Sequence, residues 1–77
     1  MKKSEWMCIF ADNLRDLMEE NAYGVRELSD EIGISAGTIS RYLNYQRMPT
    51  VENLLKLKYA FSCGWDDLLD FDEPIDD

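Results

Sequence analysis

A glycine between two short amphipathic segments, Gly33, limits the fold of this 77-residue chain more than any other feature. Apolar residues recur four positions apart on both sides of it, which is the spacing of one helical face. Glycine just beyond a helix adopts a left-handed conformation at little cost and turns the chain sharply. Ser35 then caps the segment that follows. The pattern predicts two short helices, residues 25–31 and 36–43, joined by a tight turn.

Three further helices are predicted around this pair, and no strand. The first covers residues 5–21 with Ser4 as its N-cap, and the next covers residues 51–61 with Thr50 as its N-cap. A short last helix covers residues 65–70, where two acids in the first turn are favoured by the helix dipole. The chain is therefore predicted to be a small all-α protein of five helices.

The charge of the chain is unevenly distributed. The net charge is -8, but residues 66–77 hold seven acids and no base. Residues 1–65 hold eight bases and nine acids, which leaves them at a net charge of -1. Attraction of a nucleic acid depends on the local surface rather than on the total charge. We predict one domain, residues 1–71, and an acidic C-terminal tail, residues 72–77, that is solvated, shields a basic face, or binds a protein partner.

The side chains that enzymes and metal sites use are scarce. The chain has no histidine, and its two cysteines, Cys8 and Cys63, fit no metal-ligand spacing. Zinc sites, catalytic triads and glycine-rich phosphate loops are therefore excluded, and neither an enzyme nor a cofactor is expected. Both cysteines are interpreted as buried free thiols, which suits a reducing cytoplasm. The apolar run of residues 6–11 is too short for a secretion signal or a membrane span, so a cytoplasmic protein is expected.

Six blocks of residues, in register over about residues 10–70, resemble the Cro/repressor-type (Xre-type) helix-turn-helix regulators of bacteria and their phages. The spacing between the blocks matches that family without gaps. The resemblance implies a compact, five-helix, lambda-repressor-like fold in which helices 2 and 3 form the helix-turn-helix. The blocks are Asn13-Leu14-Arg15-Asp16-Leu17, Glu27-Leu28-Ser29 through Gly33-Ile34-Ser35, Thr38-Ile39-Ser40-Arg41-Tyr42-Leu43, Arg47-Met48-Pro49-Thr50, Leu54-Leu55-Lys56-Leu57 with Ala60-Phe61, and Trp65-Asp66-Asp67-Leu68-Leu69.

The resemblance also implies sequence-specific binding to a double-stranded DNA operator, with helix 3 in the major groove and helix 2 across the backbone. We expect a repressor of bacterial, phage or mobile-element origin that acts sterically, by blocking a promoter. Carried over by position, base contacts fall to Ala36, Gly37, Thr38 and Arg41, and phosphate contacts fall to Val25, Arg26, Ser35, Ser40, Asn44, Tyr45, Gln46 and Arg47.

The chemistry of these side chains agrees with those roles. Arg41 offers a bidentate fork to guanine O6 and N7, and the methyl group of Ala36 suits a thymine methyl. Arg26 and Arg47 are charge contacts to phosphate. Gly37 either permits close approach of DNA or is a tolerated defect in the helix. The alternative for Arg41 and Arg47 is that both are solvated surface arginines.

The chain departs from the family pattern at several positions. Many family members pair an arginine late in helix 1 with a glutamate at the end of helix 3. The corresponding residues here are Met18 and Leu43, so an apolar contact is expected in place of the ion pair. The glycine after helix 3 is here Tyr45. Asn44 is expected to take the left-handed angles instead, with Tyr45 lying against the sugar-phosphate backbone. Tyr42 is interpreted as core packing rather than a base-stacking residue.

Apolar residues near both ends of the chain exceed the needs of one core. We expect a homodimer that uses them and reads two half-sites about one helical turn apart. The alternative is that Trp6 packs against the tail of its own chain. The alternative function is a protein-interaction module of the same fold, an antitoxin or antirepressor component with weak or no DNA binding. The expected interface consists of Trp6, Met7, Cys8, Ile9, Trp65, Leu69, Phe71 and Ile75.

Overall fold

Five α-helices make up the part of the chain that the structure, a computed structural model, describes: residues 3–69, with side chains from residue 5 onward. No strand occurs within these residues, which confirms the all-α, five-helix prediction. The predicted domain end at residue 71, the tail and two expected interface residues, Phe71 and Ile75, lie outside them. The helices are α1 (Lys3–Glu20), α2 (Val25–Ile32), α3 (Ala36–Leu43), α4 (Val51–Phe61) and α5 (Trp65–Leu69).

One apolar core is shared by all five helices. Phe10, Leu14 and Leu17, which recur at helical spacing along α1, lie within it, and so does the turn residue Ile34. None of the helices in residues 3–69 is long and apolar enough to cross a membrane. The buried core residues are Phe10, Leu14, Leu17, Met18, Leu28, Ile34, Ile39, Tyr42, Leu57, Phe61, Leu68 and Leu69.

Tyr42 fixes α3 to its neighbours. Its side chain is only 1% exposed, and its ring meets that of Phe10 edge to face, with 5.5 Å between the centroids. Its hydroxyl accepts a hydrogen bond of 2.9 Å from Nδ2 of Asn53, in the first turn of α4. The interpretation of Tyr42 as core packing is confirmed. Because α1, α3 and α4 meet at this one residue, the outer face of α3 is held in a defined orientation.

Side-chain caps start the two helices whose bounds were predicted without error. Oγ of Ser35 accepts from the backbone N–H of Thr38 at 3.2 Å, and Oγ1 of Thr50 accepts from that of Asn53 at 3.1 Å. Each such cap contributes about 1 kcal/mol. The predicted cap at Ser4 is wrong, because α1 already begins at Lys3 and contains the serine. α1 begins two residues before its predicted start and ends one residue before its predicted end, and α2 ends one residue later than predicted. α5 begins at Trp65 as predicted, and its predicted end at residue 70 lies outside the described residues.

Left-handed residues end all four of the longer helices, and only one of these residues is glycine. The φ angles are 56° at Ala22, 74° at Gly33, 61° at Tyr45 and 50° at Ser62. Backbone hydrogen bonds close each of these turns onto the preceding helix. The left-handed conformation is unfavourable for residues with a Cβ atom, and Ala22, Tyr45 and Ser62 adopt it nevertheless.

The two cysteines lie in different surroundings. Cys8 is exposed, so its predicted burial is wrong. It precedes Asp12 and Arg15 by one and two helical turns, which places it on the polar side of α1. Cys63 is half-buried, and burial together with the Asp67 carboxylate raises the pKa of its thiol above the usual value. That shift keeps the Cys63 thiol protonated and weakly nucleophilic at neutral pH.

Candidate DNA-binding surface

The turn between α2 and α3 has the geometry that a single glycine permits. The N–H of Gly33 donates to the carbonyl of Ser29 at 2.9 Å, and the residue is left-handed. Ile34 is buried and anchors the turn to the core. Ser35 then caps α3, so three residues separate the two helices. The predicted tight turn is confirmed.

The residues predicted to contact DNA all retain some access to solvent. Gly37, Arg41 and Asn44 follow one another at the spacing of a single helical face, and all three are exposed. The opposite face of α3 is buried through Ile39 and Tyr42. Of the predicted contact residues, Arg26, Ser35, Gly37, Arg41, Asn44, Tyr45, Gln46 and Arg47 are exposed, while Val25, Ala36, Thr38 and Ser40 are half-buried.

Two hydroxyl groups stand at the start of α3. Oγ of Ser35 and Oγ1 of Thr38 are 2.8 Å apart, and one of them donates to the other. Since each hydroxyl carries one hydrogen, the pair keeps one hydrogen for an acceptor outside the protein. The start of α3 thus presents a donor fixed by the helix cap.

Gly37 is not required by the packing of the protein. A Cβ atom built at this position would meet nothing within 4 Å. Its backbone is helical, so it gains nothing from glycine's conformational freedom. The space above this turn of α3 is therefore open to a molecule that approaches from outside.

α3 and the segment around it contribute positive charge and no acid of their own, on a chain that is acidic as a whole. Between Glu31 and Glu52 the sequence contains Arg41 and Arg47 and no acid. Both arginines are exposed. The ion pairs among residues 5–69 lie elsewhere, on α1 and α4, so neither arginine is neutralised by an acid within that part of the chain.

The start of α2 is less favourable for phosphate. Gly24 precedes the helix and provides no side-chain cap, so the first N–H groups lack that partner. However, the Glu27 carboxylate lies beside it, and a Cβ atom at Gly24 would be 3.3 Å from Oε1. A phosphate contacted by Val25 or Arg26 requires this carboxylate to turn away.

Tyr45 rather than Asn44 takes the left-handed conformation after α3. Asn44 has φ -94° and ψ 14°, so the expectation for it is wrong. The N–H groups of Tyr45 and Gln46 donate to the carbonyls of Tyr42 and Arg41, at 3.3 and 2.9 Å. This hydrogen-bond pattern requires the left-handed residue to be the second one beyond the helix, which is the tyrosine.

Comparison with known proteins agrees with this geometry. A family model described as "Helix-turn-helix" matches residues 14–68 of the chain. The chain belongs to the helix-turn-helix family. It is 34% identical over 61 residues to an uncharacterized HTH-type transcriptional regulator of Bacillus subtilis, YvzC, and the match covers 79% of each chain. No solved structure matches it. The family resemblance is confirmed, and DNA-binding transcriptional regulation is supported as its function.

The helix-turn-helix unit is held from outside by α1, through two residues that sequence reasoning did not assign to the site. Nη2 of Arg15 donates to the carbonyl of Leu43, the last residue of α3, at 3.0 Å. The hydroxyl of Tyr45 donates to Oδ1 of Asp12 at 2.6 Å. Nη1 of Arg15 lies 4.0 Å from the same Oδ1. The opposite charges three positions apart on α1 were visible in the sequence, but their partners beyond α3 were not.

These contacts change the interpretation of two family departures. Met18 is buried in the core and Leu43 packs against that core, while a direct contact between the two side chains stays a prediction. An arginine of α1 still reaches the end of α3, but it is Arg15 and it donates to the backbone carbonyl of Leu43 rather than to a carboxylate. The Tyr45 side chain is 44% exposed and its hydroxyl is already bonded, so its contact with the sugar-phosphate backbone stays a prediction that involves the ring.

Proposed function

We propose that this helix-turn-helix protein is a sequence-specific transcriptional regulator that reads the major groove of DNA with α3. The observation that supports it best is the exposed face of α3 and the following loop, a segment that contains two arginines and no acid and that the buried Tyr42 fixes to the core. A rigid helix with exposed polar groups on one face is what base reading in the major groove requires.

Arg41 is the residue that carries base discrimination in this proposal. It lies on the exposed face of α3, one turn after Gly37. A bidentate contact to guanine provides about 1–3 kcal/mol of discrimination. Ala36 and Thr38 read neighbouring positions through a methyl group and a hydroxyl.

The phosphate contacts flank this helix and fix its orientation. Arg47, Gln46 and Asn44 lie at or beyond the end of α3, and Arg26 lies on the helix before it. Such contacts supply affinity on every sequence and make it depend on salt. The net charge of -8 does not oppose this, because the two arginines after Glu31 form a locally cationic surface.

Repression by a dimer bound over a promoter is the proposed mode of action, in the cytoplasm and without catalysis or a cofactor. The residues of the expected dimer interface differ in their exposure to solvent. Trp6 and Trp65 are half-buried against the core, Leu69 is buried, and Cys8 is exposed. A second copy in this proposal covers the outer edges of the two tryptophans.

Selection of bound DNA from a random duplex library, followed by sequencing at two salt concentrations, tests the proposal. We expect an enriched motif with two half-sites about 10 base pairs apart. A single half-site would contradict the dimer alone. No enrichment, with weak and strongly salt-dependent binding, would contradict the function.

A protein-interaction module is the second candidate, and the surface of α4 favours it. Val51, Leu55 and Tyr59 form one row along α4 and are 72%, 52% and 89% exposed. Leu55 and Tyr59 line a shallow groove that also includes Ile32. In this candidate the acidic tail and the α4 row bind a protein, and DNA binding is secondary. A co-purification that depends on the α4 row and not on Arg41 would favour it.

A further inference from the structure

Two contacts join α1 to the end of α3, and a third links the two α1 residues that make them. Arg15 donates to the Leu43 carbonyl at 3.0 Å, Tyr45 donates to Asp12 at 2.6 Å, and Asp12 lies 4.0 Å from Arg15. We call Asp12, Arg15 and Tyr45 the α1 brace. It joins the outer side of α1 to the point where the chain leaves α3.

The brace supports an unfavourable backbone conformation. Tyr45 has φ 61°, a conformation in which the Cβ atom of an L-residue crowds the backbone. The turn hydrogen bonds of Tyr45 and Gln46 favour this conformation, and the hydroxyl bond to Asp12 adds a contact that other backbone angles would break. The brace therefore defines the direction in which the chain continues toward Arg47.

The brace is too exposed to contribute much to global stability. The side chains of Arg15 and Asp12 are 45% and 60% exposed, and Tyr45 is 44% exposed. Contacts between exposed charged groups stabilise folding weakly. The core contacts of α3, through Ile39 and Tyr42, do not depend on it. Its effect is local, in residues 44–50, which form no helix.

We propose that Asp12, Arg15 and Tyr45 are positioning residues for DNA binding, which hold the segment after α3 so that Arg47 is ordered before DNA arrives. The inference rests on the proposed DNA-binding function. Without the brace, the segment must be ordered at the moment of binding, and that ordering lowers affinity. The brace also neutralises Asp12, a carboxylate next to a surface that meets phosphate.

Tyr45→Phe is the sharpest test, because it removes only the hydroxyl. We expect affinity for the operator to fall about threefold to tenfold, in line with the ordering of one or two side chains. The melting temperature should not change. Tyr59→Phe is the matched control, since Tyr59 is 89% exposed on α4 and loses the same hydroxyl.

Asp12→Ala separates the brace from a simple charge effect. Removing any acid strengthens binding to a polyanion, and Asp16→Ala, an exposed acid one turn further along α1, measures that baseline. We expect Asp12→Ala to bind more weakly than Asp16→Ala. Asp12→Asn, which keeps an acceptor oxygen for Tyr45, should restore binding to the level of Asp16→Ala.

Hydrogen exchange of the Tyr45 and Gln46 amides in the free protein gives a readout that does not involve DNA. Exchange should be faster in Tyr45→Phe and Asp12→Ala than in Tyr59→Phe. Two results would overturn the inference while leaving the proposed function intact. One is amide exchange that is the same in Tyr45→Phe and Asp12→Ala as in Tyr59→Phe. The other is a Tyr45→Phe variant that binds the operator as tightly as the wild type does. A wild type that binds no duplex would overturn the proposed function and this inference with it.

Discussion

The two helices of the helix-turn-helix unit end in the same backbone conformation by different means. After α2 the left-handed residue is Gly33, with φ 74°, and one backbone hydrogen bond closes the turn. After α3 it is Tyr45, with φ 61°, and two backbone bonds together with contacts from α1 hold it. Glycine makes the first turn independent of its surroundings. The second turn also contacts another helix, and we infer that its geometry can be altered from α1 without a change in α3.

Gly33→Ala should have the largest effect on stability. A left-handed alanine costs about 1–2 kcal/mol, and a Cβ atom at this position meets nothing within 4 Å, so the loss is one of backbone conformation. Chemical denaturation would measure the free energy of unfolding. No loss would mean that the turn relaxes to another conformation, and that the contrast with Tyr45 is weaker than the φ angles indicate.

Arg47→Ala should affect DNA binding and leave stability unchanged. The arginine is exposed and takes part in no ion pair within residues 5–69, so folding loses no contact of that kind. We expect weaker binding to every duplex, and a dependence of log affinity on log salt that is shallower by about one unit. Fluorescence anisotropy at several salt concentrations measures both. If the slope of log affinity against log salt does not change, Arg47 contacts no phosphate, and the turn after α3 is not part of the binding surface.

Gly37→Ala tests a glycine that neither turn requires. Because the position is helical, exposed and open above the backbone, alanine should stabilise the fold by about 0.5–1 kcal/mol. If DNA approaches α3 closely there, affinity for the operator falls while stability rises. Paired melting and binding measurements separate the two. A gain in stability with unchanged affinity would identify Gly37 as a tolerated defect of the helix.

Tyr45→Gly should change stability least, because two effects oppose each other. Glycine relieves the left-handed strain, and the bond to Asp12 is lost. We expect a net change in unfolding free energy below about 0.5 kcal/mol. The loss of unfolding free energy should therefore be much larger for Gly33→Ala than for Tyr45→Gly. A large loss on denaturation would show that the brace supports the whole fold rather than the turn alone.

The fold was predictable wherever the determining contact is local in the sequence. Ser35 and Thr50 each bond to a backbone N–H three residues ahead, and this pattern can be read directly from neighbouring residue types. Gly33 similarly defines its turn by its own backbone freedom. The family resemblance supplied the rest of the architecture, including the pairing of α2 with α3.

The environment of the site was not predictable to the same degree. Asp12 and Tyr45 are 33 positions apart, and Arg15 and Leu43 are 28 apart, so no local pattern joins them. Asn44 was the reasonable choice for the left-handed residue by intrinsic preference. The hydrogen-bond geometry of the turn placed the tyrosine there instead, with α1 supplying the compensating contact.

The acid-free stretch between Glu31 and Glu52 has a consequence for how the molecule approaches DNA. Acids on α1, α2 and α5 give much of the remaining surface the same sign as the phosphates. In the proposed function, encounters in the wrong orientation are therefore repelled, and the field of the protein favours an approach with α3 leading. The consequence we expect is rapid dissociation from DNA sequences that the protein does not read, since few charges hold it on the backbone.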